Sequence, residues 1–377
     1  MSKLLLPDQK GFSESRFLAT DPAIDVILEL AEATEDILAK EALFYDKYSS
    51  EVEIRETLIE DENGEKVNMK VLVVQGEDGL DGSGITLIRP PAWTDGPDTK
   101  GALRGAVTLS VMTGSTVVIP LFPGMGANGA DKENGTKLTK LQKQSLKKGS
   151  NKEVAKMQWL AMQQVASSEL GVDEDSNQKV VFFGYSLGNP QNAALLAEIS
   201  EDIEVVGAIW AENPDIKAFG SATLNMADML FRLQKSQTSP DIYGKINNIL
   251  PRRLASAPPL DWDRGSVRQF YEMLWRDKEA LTFAPLAVAK GSVERDLGIA
   301  REKEILKNFG HLIIQAGIRG TTLDDSNVLK KSLKGAVLLG DVVIYDGEDH
   351  GMGDSFAMQV IMVREFLKRI DDNPVTI

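Results

Sequence analysis

The 377-residue chain contains no cysteine and only two histidines. Without cysteine there is no disulfide framework and no thiolate metal site, a composition compatible with a reducing compartment. Two histidines are also too few for the usual zinc sites, so we expect no bound metal ion. The scarcity of imidazole is useful in another way, because it leaves very few candidates for a general base.

Long apolar runs are missing as well. No stretch reaches the length that a transmembrane helix needs. Near the start of the chain the apolar run at residues 4–6 is shorter than the core of a signal peptide. These two features predict a cytoplasmic protein without a transmembrane segment.

Positive charge is in deficit, with 42 Lys and Arg against 56 Asp and Glu and a formal net charge of −14. This balance argues against nucleic acid, or an anionic membrane, as the main partner. The stretch from Lys132 to Lys156 departs from it, because lysines recur through that stretch. We interpret it as a solvated loop and helix face, with binding of an anionic substrate or partner as the alternative.

The most informative motif is G-Y-S-L-G at residues 184–188, directly after the apolar run 180–183. A buried strand that ends in G-x-S-x-G and opens into a helix is typical of a nucleophile elbow, in which a strained turn exposes the serine hydroxyl. The two glycines permit the sharp turn and the close approach of neighbouring segments. Ser186 is therefore the candidate nucleophile, and the backbone N–H of Leu187 is a candidate oxyanion donor.

A nucleophilic serine needs a base, and the chain offers only His311 and His350. His311 begins a strand-like run, at the end of the strand away from the expected catalytic loops. His350 lies in the loop 346–351, between the apolar stretch 342–345 and the amphipathic segment 356–370, which predicts a final helix. We therefore predict that His350 is the base.

The third catalytic group is expected to be a carboxylate between Ser186 and His350 in chain order. It would orient the imidazole and stabilise the imidazolium. In decreasing order of preference, the candidates are Asp325, Asp324, Glu212 and Asp215. The first two follow the strand-like run 312–316, but they are equally suited to cap a helix that begins near Val328.

Taken together, these segments resemble an α/β-hydrolase over residues 67–375, with one insertion. Residues 115–126 add to the likeness, since they are similar to the strand and P-G-x-G loop one unit before the elbow in that family. The resemblance implies an α/β fold with a mostly parallel central sheet flanked by helices. It also implies a serine hydrolase of carboxylesterase or lipase type, or an acyltransferase, that acts on a small-molecule or lipid-like ester through a Ser-His-Asp triad.

The resemblance further implies that a second oxyanion donor follows the strand-like run 85–88. The chain departs from the family there, with R-P-P-A-W at residues 89–93 in place of a His-Gly pattern. Because proline has no backbone N–H, the candidates are Ala92 and Trp93. The departure also supports an alternative function, a non-catalytic α/β-hydrolase-fold protein that serves binding, scaffolding or structural assembly.

A second glycine motif, G-x-G-x-x-G at residues 124–129, matches the pattern of a dinucleotide-binding loop. Such a site requires a helix to open directly after the loop and an acidic residue at the end of a second strand. Residues 130–137 are instead polar and interrupted by glycine. We therefore predict no cofactor and expect this loop to border the mouth of the site.

The sequence divides into a core, an extension and an insertion. Strand-like and helical segments alternate from residue 85 onward, as in a parallel sheet with crossover helices. Two earlier segments, 52–59 and 67–74, predict an antiparallel hairpin at the sheet edge. The predicted domains are a helical N-terminal extension (1–50), the α/β-hydrolase core (51–215 and 306–377) and a helical cap or lid insertion (216–305).

Overall fold

The fold is described from a computed structural model. It describes residues 52–76, 84–91, 105–107, 109–110, 113–125, 137–171, 178–199, 203–211, 213, 278–307, 309–316, 329–345 and 356–372. The predicted N-terminal extension and most of the predicted cap lie outside these residues, so both stay predictions.

Eight strands form one sheet in this part of the chain. They are β1 (Val52–Glu60), β2 (Lys66–Val74), β3 (Ile85–Ile88), β4 (Thr116–Pro120), β5 (Lys179–Tyr185), β6 (Val205–Ala211), β7 (Gly310–Ala316) and β8 (Val337–Tyr345). The helices with defined bounds are α1 (Lys140–Lys147), α2 (Lys152–Val165), α3 (Gly188–Glu198), α4 (Lys278–Ala289), α5 (Ser292–Glu302) and α6 (Phe356–Asp372).

The first two strands form the predicted hairpin at the edge of the sheet. They pair antiparallel along their whole length, from Val52 opposite Val74 to Glu60 opposite Lys66. The carboxylate of Asp61 accepts hydrogen bonds from two backbone N–H groups of the connecting turn, both at 2.9 Å. This side-chain capping is how aspartate stabilises a tight turn.

The strand order is β1-β2-β4-β3-β5-β6-β7-β8. Strand β2 is antiparallel to both of its neighbours, whereas all the pairs from β4 to β8 are parallel. The central strands β3 and β4 are buried along their whole length, as expected for parallel strands covered on both faces. The predicted α/β fold with a mostly parallel central sheet is therefore confirmed.

Helices cover both faces of the sheet. Ala208 and Trp210 of β6 belong to a hydrophobic core shared with α2, α3 and α5. Gly207 points to the opposite face, since side chains alternate along a strand. A Cβ atom at Gly207 would lie 2.1 Å from the ring of Phe366, so α6 packs on that second face.

Helices α4 and α5 are the described part of the region predicted to form a cap. Val293, Leu297 and Ala300 of α5 are buried in the same core as α3 and the sheet. Helix α5 therefore contributes to the layer that covers the sheet. Within the described residues, no helix is long and apolar enough to cross a membrane.

The lysine-rich stretch contributes to α1 and α2, and several of its lysines face carboxylates. Lys143 pairs with Glu279 of α4 at 2.8 Å, and Lys156 pairs with Glu62 of the hairpin turn. The ammonium of Lys147 lies 5.1 Å from the ring centre of Phe283. These contacts support the interpretation of this stretch as a solvated helix face.

Candidate functional site

The candidate site centres on the turn between β5 and α3. The strand ends at Tyr185 and the helix begins at Gly188, so only Ser186 and Leu187 connect them. Ser186 has a φ of 50°, a left-handed conformation that is costly for a residue with a Cβ atom. Such strain persists only where the surroundings enforce it, and it concentrates at active sites.

The main chain of Ser186 is held on both sides. Its N–H donates to the carbonyl of Ala211, at the end of β6, at 3.1 Å. Its carbonyl accepts from the main-chain N–H of Asn189 at 3.0 Å and from the Asn189 side-chain Nδ2 at 3.1 Å. The same Nδ2 donates to the carbonyl of Ala211 at 2.7 Å. Asn189 therefore ties the turn to the neighbouring strand.

Each glycine of the motif makes a close contact that a side chain would obstruct. A Cβ atom at Gly184 would lie 2.4 Å from Oδ1 of Asn189 and 2.6 Å from Nδ2 of Asn192. A Cβ atom at Gly188 would lie 2.8 Å from the carbonyl oxygen of Pro90. The first glycine admits side chains of α3, and the second admits the loop that follows β3.

That loop is joined to the turn through Gln191. Its Nε2 donates to the carbonyl of Pro91 at 2.8 Å and to the carbonyl of Leu187 at 3.0 Å. Its Oε1 accepts from Nε2 of Gln158 at 2.9 Å, and Gln158 also donates to the carbonyl of Pro120 at 3.0 Å. A buried pair of amides thus links the ends of β3 and β4 to the turn.

Sequence reasoning singled out Ser186 and Leu187 but missed Asn189, Gln191 and Gln158. A signal was present, because amide side chains occur in a helix that is buried from Gly188 to Ala197. Buried amides are costly unless they are hydrogen-bonded. Because they cluster one turn after a candidate nucleophile, these amides are expected to make specific hydrogen bonds near that nucleophile.

His311 lies in β7 with both ring nitrogens engaged. Trp210 Nε1 donates to Nδ1 at 3.2 Å, which leaves the proton on Nε2, and Nε2 donates to the carbonyl of Leu306 at 3.1 Å. Burial lowers the pKa of His311 from 6.5 to about 4. His311 pairs with Ala208, whereas Ser186 binds Ala211 further along the strand. The ring is therefore a neutral part of the core, away from the turn.

The remaining predicted site residues lie outside the described residues: His350, Asp324, Asp325, Glu212, Asp215, Ala92 and Trp93. The strands that precede the loops of His350 and of Asp324 and Asp325 are described, namely β8 and β7. Both are parallel to β5 and end at the same edge of the sheet as the Ser186 turn. Ligands in open parallel sheets bind outside this carboxyl edge.

Comparison with known proteins gave matches among solved structures alone, since no family model and no curated protein matches the chain. One match is a thermostable carboxyl esterase from Bacillus coagulans, with 14% identity over 83% of this chain and 98% of that chain, at a TM-score of 0.46. A deformylase from Pseudomonas putida S16 matches with 13% identity over 84% and 100%, at a TM-score of 0.44. A serine hydrolase involved in carbazole degradation matches with 11% identity over 85% and 99%, at a TM-score of 0.42.

The topology of the sheet itself characterises the fold. Six parallel strands follow an antiparallel pair, β3 and β4 exchange places in the order, and β5 leads through a tight turn into the buried helix α3. This order and this strand–turn–helix unit are those of an α/β-hydrolase. The chain therefore has the α/β-hydrolase fold.

Proposed function

We propose that this protein is a serine hydrolase that cleaves a carboxylic ester, with Ser186 as the nucleophile. The observation that carries the proposal is the φ of 50° at Ser186, in the turn between β5 and α3. Main-chain and side-chain hydrogen bonds hold this residue in the left-handed region, and two close glycine contacts make room for the turn. A serine under such strain at the carboxyl edge of a parallel sheet is suited to nucleophilic attack.

In the proposed reaction the Ser186 hydroxyl attacks the ester carbonyl while His350 accepts its proton. His350 then donates that proton to the departing alcohol, which leaves an acyl-enzyme for water to hydrolyse. Asp325, with Asp324 as the second choice, would orient the imidazole. The N–H groups of Leu187 and of Ala92 or Trp93 would bind the oxyanion, each contributing roughly 2.7–4 kcal/mol to the transition state.

The substrate proposed is a small-molecule or lipid-like ester. An acyltransferase would use the same residues, with an alcohol or amine in place of water as the acceptor. The proposed chemistry uses side chains and main-chain N–H groups.

The direct test is covalent labelling of the serine. We expect incubation with a fluorophosphonate to add a single adduct to the wild-type chain, measured by intact-mass spectrometry, and none to Ser186→Ala. Ser168 is an exposed serine bound to Glu169, and Ser168→Ala serves as the matched control that labels like the wild type. A folded wild-type chain that takes up no adduct would contradict the proposal and favour the non-catalytic alternative.

A further inference from the structure

Two buried amides of helix α3 bind main-chain carbonyls at the Ser186 turn. Asn189 binds the carbonyl of Ser186, and Gln191 binds the carbonyls of Leu187 and Pro91. A third amide of the same helix, Asn192, is also buried, but neither of its side-chain polar atoms has a hydrogen-bond partner among the described residues. Unlike Asn192, the first two amides therefore each hydrogen-bond to particular main-chain carbonyls at the turn.

The carbonyl that Asn189 binds shares its peptide plane with the N–H of Leu187. In a planar trans peptide the C=O and N–H bonds point in opposite directions. Two donors of Asn189, its main-chain N–H and its Nδ2, converge on the Ser186 oxygen at 3.0 and 3.1 Å. By holding that oxygen, Asn189 sets the direction in which the Leu187 N–H points.

Gln191 holds the loop after β3 against the turn. Its Nε2 donates to the carbonyl of Pro91 at 2.8 Å and to the carbonyl of Leu187 at 3.0 Å. One side chain therefore fixes the last described peptide group of that loop relative to the turn that carries the Leu187 N–H.

The orientation of the Gln191 amide is itself determined by Gln158. Nε2 of Gln158 donates to Oε1 of Gln191 at 2.9 Å, so the opposite end of that amide must present its N–H groups. Gln158 is anchored in turn on the carbonyl of Pro120. Gln191 thus uses both of its N–H groups and its oxygen, which leaves it one favourable orientation.

From these contacts we infer that Asn189 and Gln191 are positioning residues for the oxyanion: Asn189 aims the main-chain N–H of Leu187, and Gln191 holds the loop after β3 beside that turn. The inference rests on the proposed function of Ser186. When the Ser186 oxygen bonds to the ester carbon, the carbonyl electron pair moves to oxygen, and the Leu187 N–H faces the new charge without reorganising.

Matched substitutions separate this role from general support of the helix. Asn189→Leu and Gln191→Met keep side-chain volume and remove the side-chain donors, while the main-chain N–H of residue 189 stays in place. Gln191→Glu keeps an acceptor for Gln158 but has no N–H for Pro91 or Leu187, and it serves as the second variant if Gln191→Met does not fold. Asn192→Leu is the control, because it removes a buried amide of the same helix that makes no hydrogen bond within the part of the chain that the structure describes.

Each folded variant is compared with the wild type by its phosphonylation rate, its kcat and KM on a p-nitrophenyl ester, and the Ki of an alkyl trifluoromethyl ketone. The ketone forms a hemiketal oxyanion on an active serine. For the Asn189 and Gln191 variants we expect kcat to fall about 10- to 100-fold with little change in KM, a smaller loss than the 10²- to 10³-fold loss of a deleted donor. The Ki should rise in parallel, while the Asn192 control stays at the wild-type values.

The outcomes distinguish the two proposals. Wild-type chain that does not label overturns the proposed function and this inference with it. Wild-type chain that labels, with Asn189 and Gln191 variants that react at the wild-type rate, overturns the inference alone. Equal losses in the Asn192 control, or a rise in KM without a fall in kcat, would also overturn it, because either would indicate a structural effect.

Discussion

Single residues around the turn show why the motif needs its glycines. Gly184 faces two amide side chains of α3, and Gly188 faces the carbonyl oxygen of Pro90, with no room for a methyl group at either position. Gly298 offers a contrast, since a Cβ atom there would meet no atom of the described residues within 4 Å. The glycines of the motif therefore serve close approach, whereas the glycine of α5 serves no packing purpose among the described residues.

We expect Gly184→Ala to lower the free energy of unfolding by about 1–3 kcal/mol, because the methyl group overlaps Asn189 and Asn192. Gly298→Ala should instead raise it by about 0.5–1 kcal/mol, since alanine loses less backbone entropy in a helix. Urea unfolding of both variants beside the wild type gives the two values. Midpoints that move in the same direction would contradict this account of the turn.

At the scale of elements, one buried carboxylate joins two helices. Asp296 of α5 accepts hydrogen bonds from the hydroxyl of Ser150 at 2.6 Å and from the main-chain N–H of Asn151 at 2.8 Å, just before α2 begins. Asn151 makes no side-chain hydrogen bond of its own to the helix end. Asp296 therefore ties α5 to the residues that precede α2, where the Ser150 hydroxyl oxygen also accepts from the main-chain N–H of Lys152 at 3.1 Å.

Burial raises the pKa of Asp296 from 3.8 to about 7, against the opposing effects of the Ser150 and Asn151 hydrogen bonds and of Arg295, while Glu198 adds to the rise. The folded state therefore holds this proton more tightly than the unfolded chain. Its contribution to stability is present below pH 4 and is lost as the pH rises to about 7, at roughly 1.4 kcal/mol per pKa unit.

We expect Asp296→Asn to remove this pH dependence, because an amide does not ionise in that range. The measurement is the free energy of unfolding of the variant and the wild type at several values between pH 4 and pH 8. The difference between the two proteins should change across this window and level off above it. A difference that is constant with pH would exclude a proton held by Asp296.

For the molecule as a whole, the free energy of unfolding depends on pH through contributions of opposite sign from Asp296 and His311. His311 is buried between Trp210 and Phe309, with ring centres 6.2 and 4.8 Å away. Burial lowers its pKa to about 4, so the unfolded chain, which titrates near 6.5, takes up the proton first. Stability is thus lost as the pH falls from 6.5 towards 4, the opposite direction to the contribution of Asp296.

His311→Gln is expected to remove this acid-side loss while also costing some stability at neutral pH, where the Trp210 and Leu306 hydrogen bonds are disturbed. Thermal or urea unfolding between pH 4 and pH 7 would show a smaller acid destabilisation in the variant than in the wild type. An unchanged slope would mean that His311 is protonated in the fold, contrary to its two hydrogen bonds.

Local sequence patterns predicted much of this fold. Two strand-like segments separated by a short turn predicted the hairpin of β1 and β2, and the apolar run followed by G-x-S-x-G predicted the strand–turn–helix unit around Ser186. Boundaries were less accurate: the final helix, predicted over 356–370, ends at Asp372, and β8 begins at Val337, before the apolar stretch 342–345 that predicted it. These features depend on neighbours along the chain, which is why the sequence could reveal them.

The partners of the buried side chains came from the tertiary structure. Gln191 binds a carbonyl 100 residues away, and Gln158 binds Gln191 across 33 residues. Asp296 reaches a helix end 145 residues away, and Trp210 reaches His311 across 101. Such contacts depend on the order in which strands assemble in the sheet, and no local pattern encodes that order. Local sequence therefore determines the turn and the candidate nucleophile, whereas tertiary packing determines which side chains orient them.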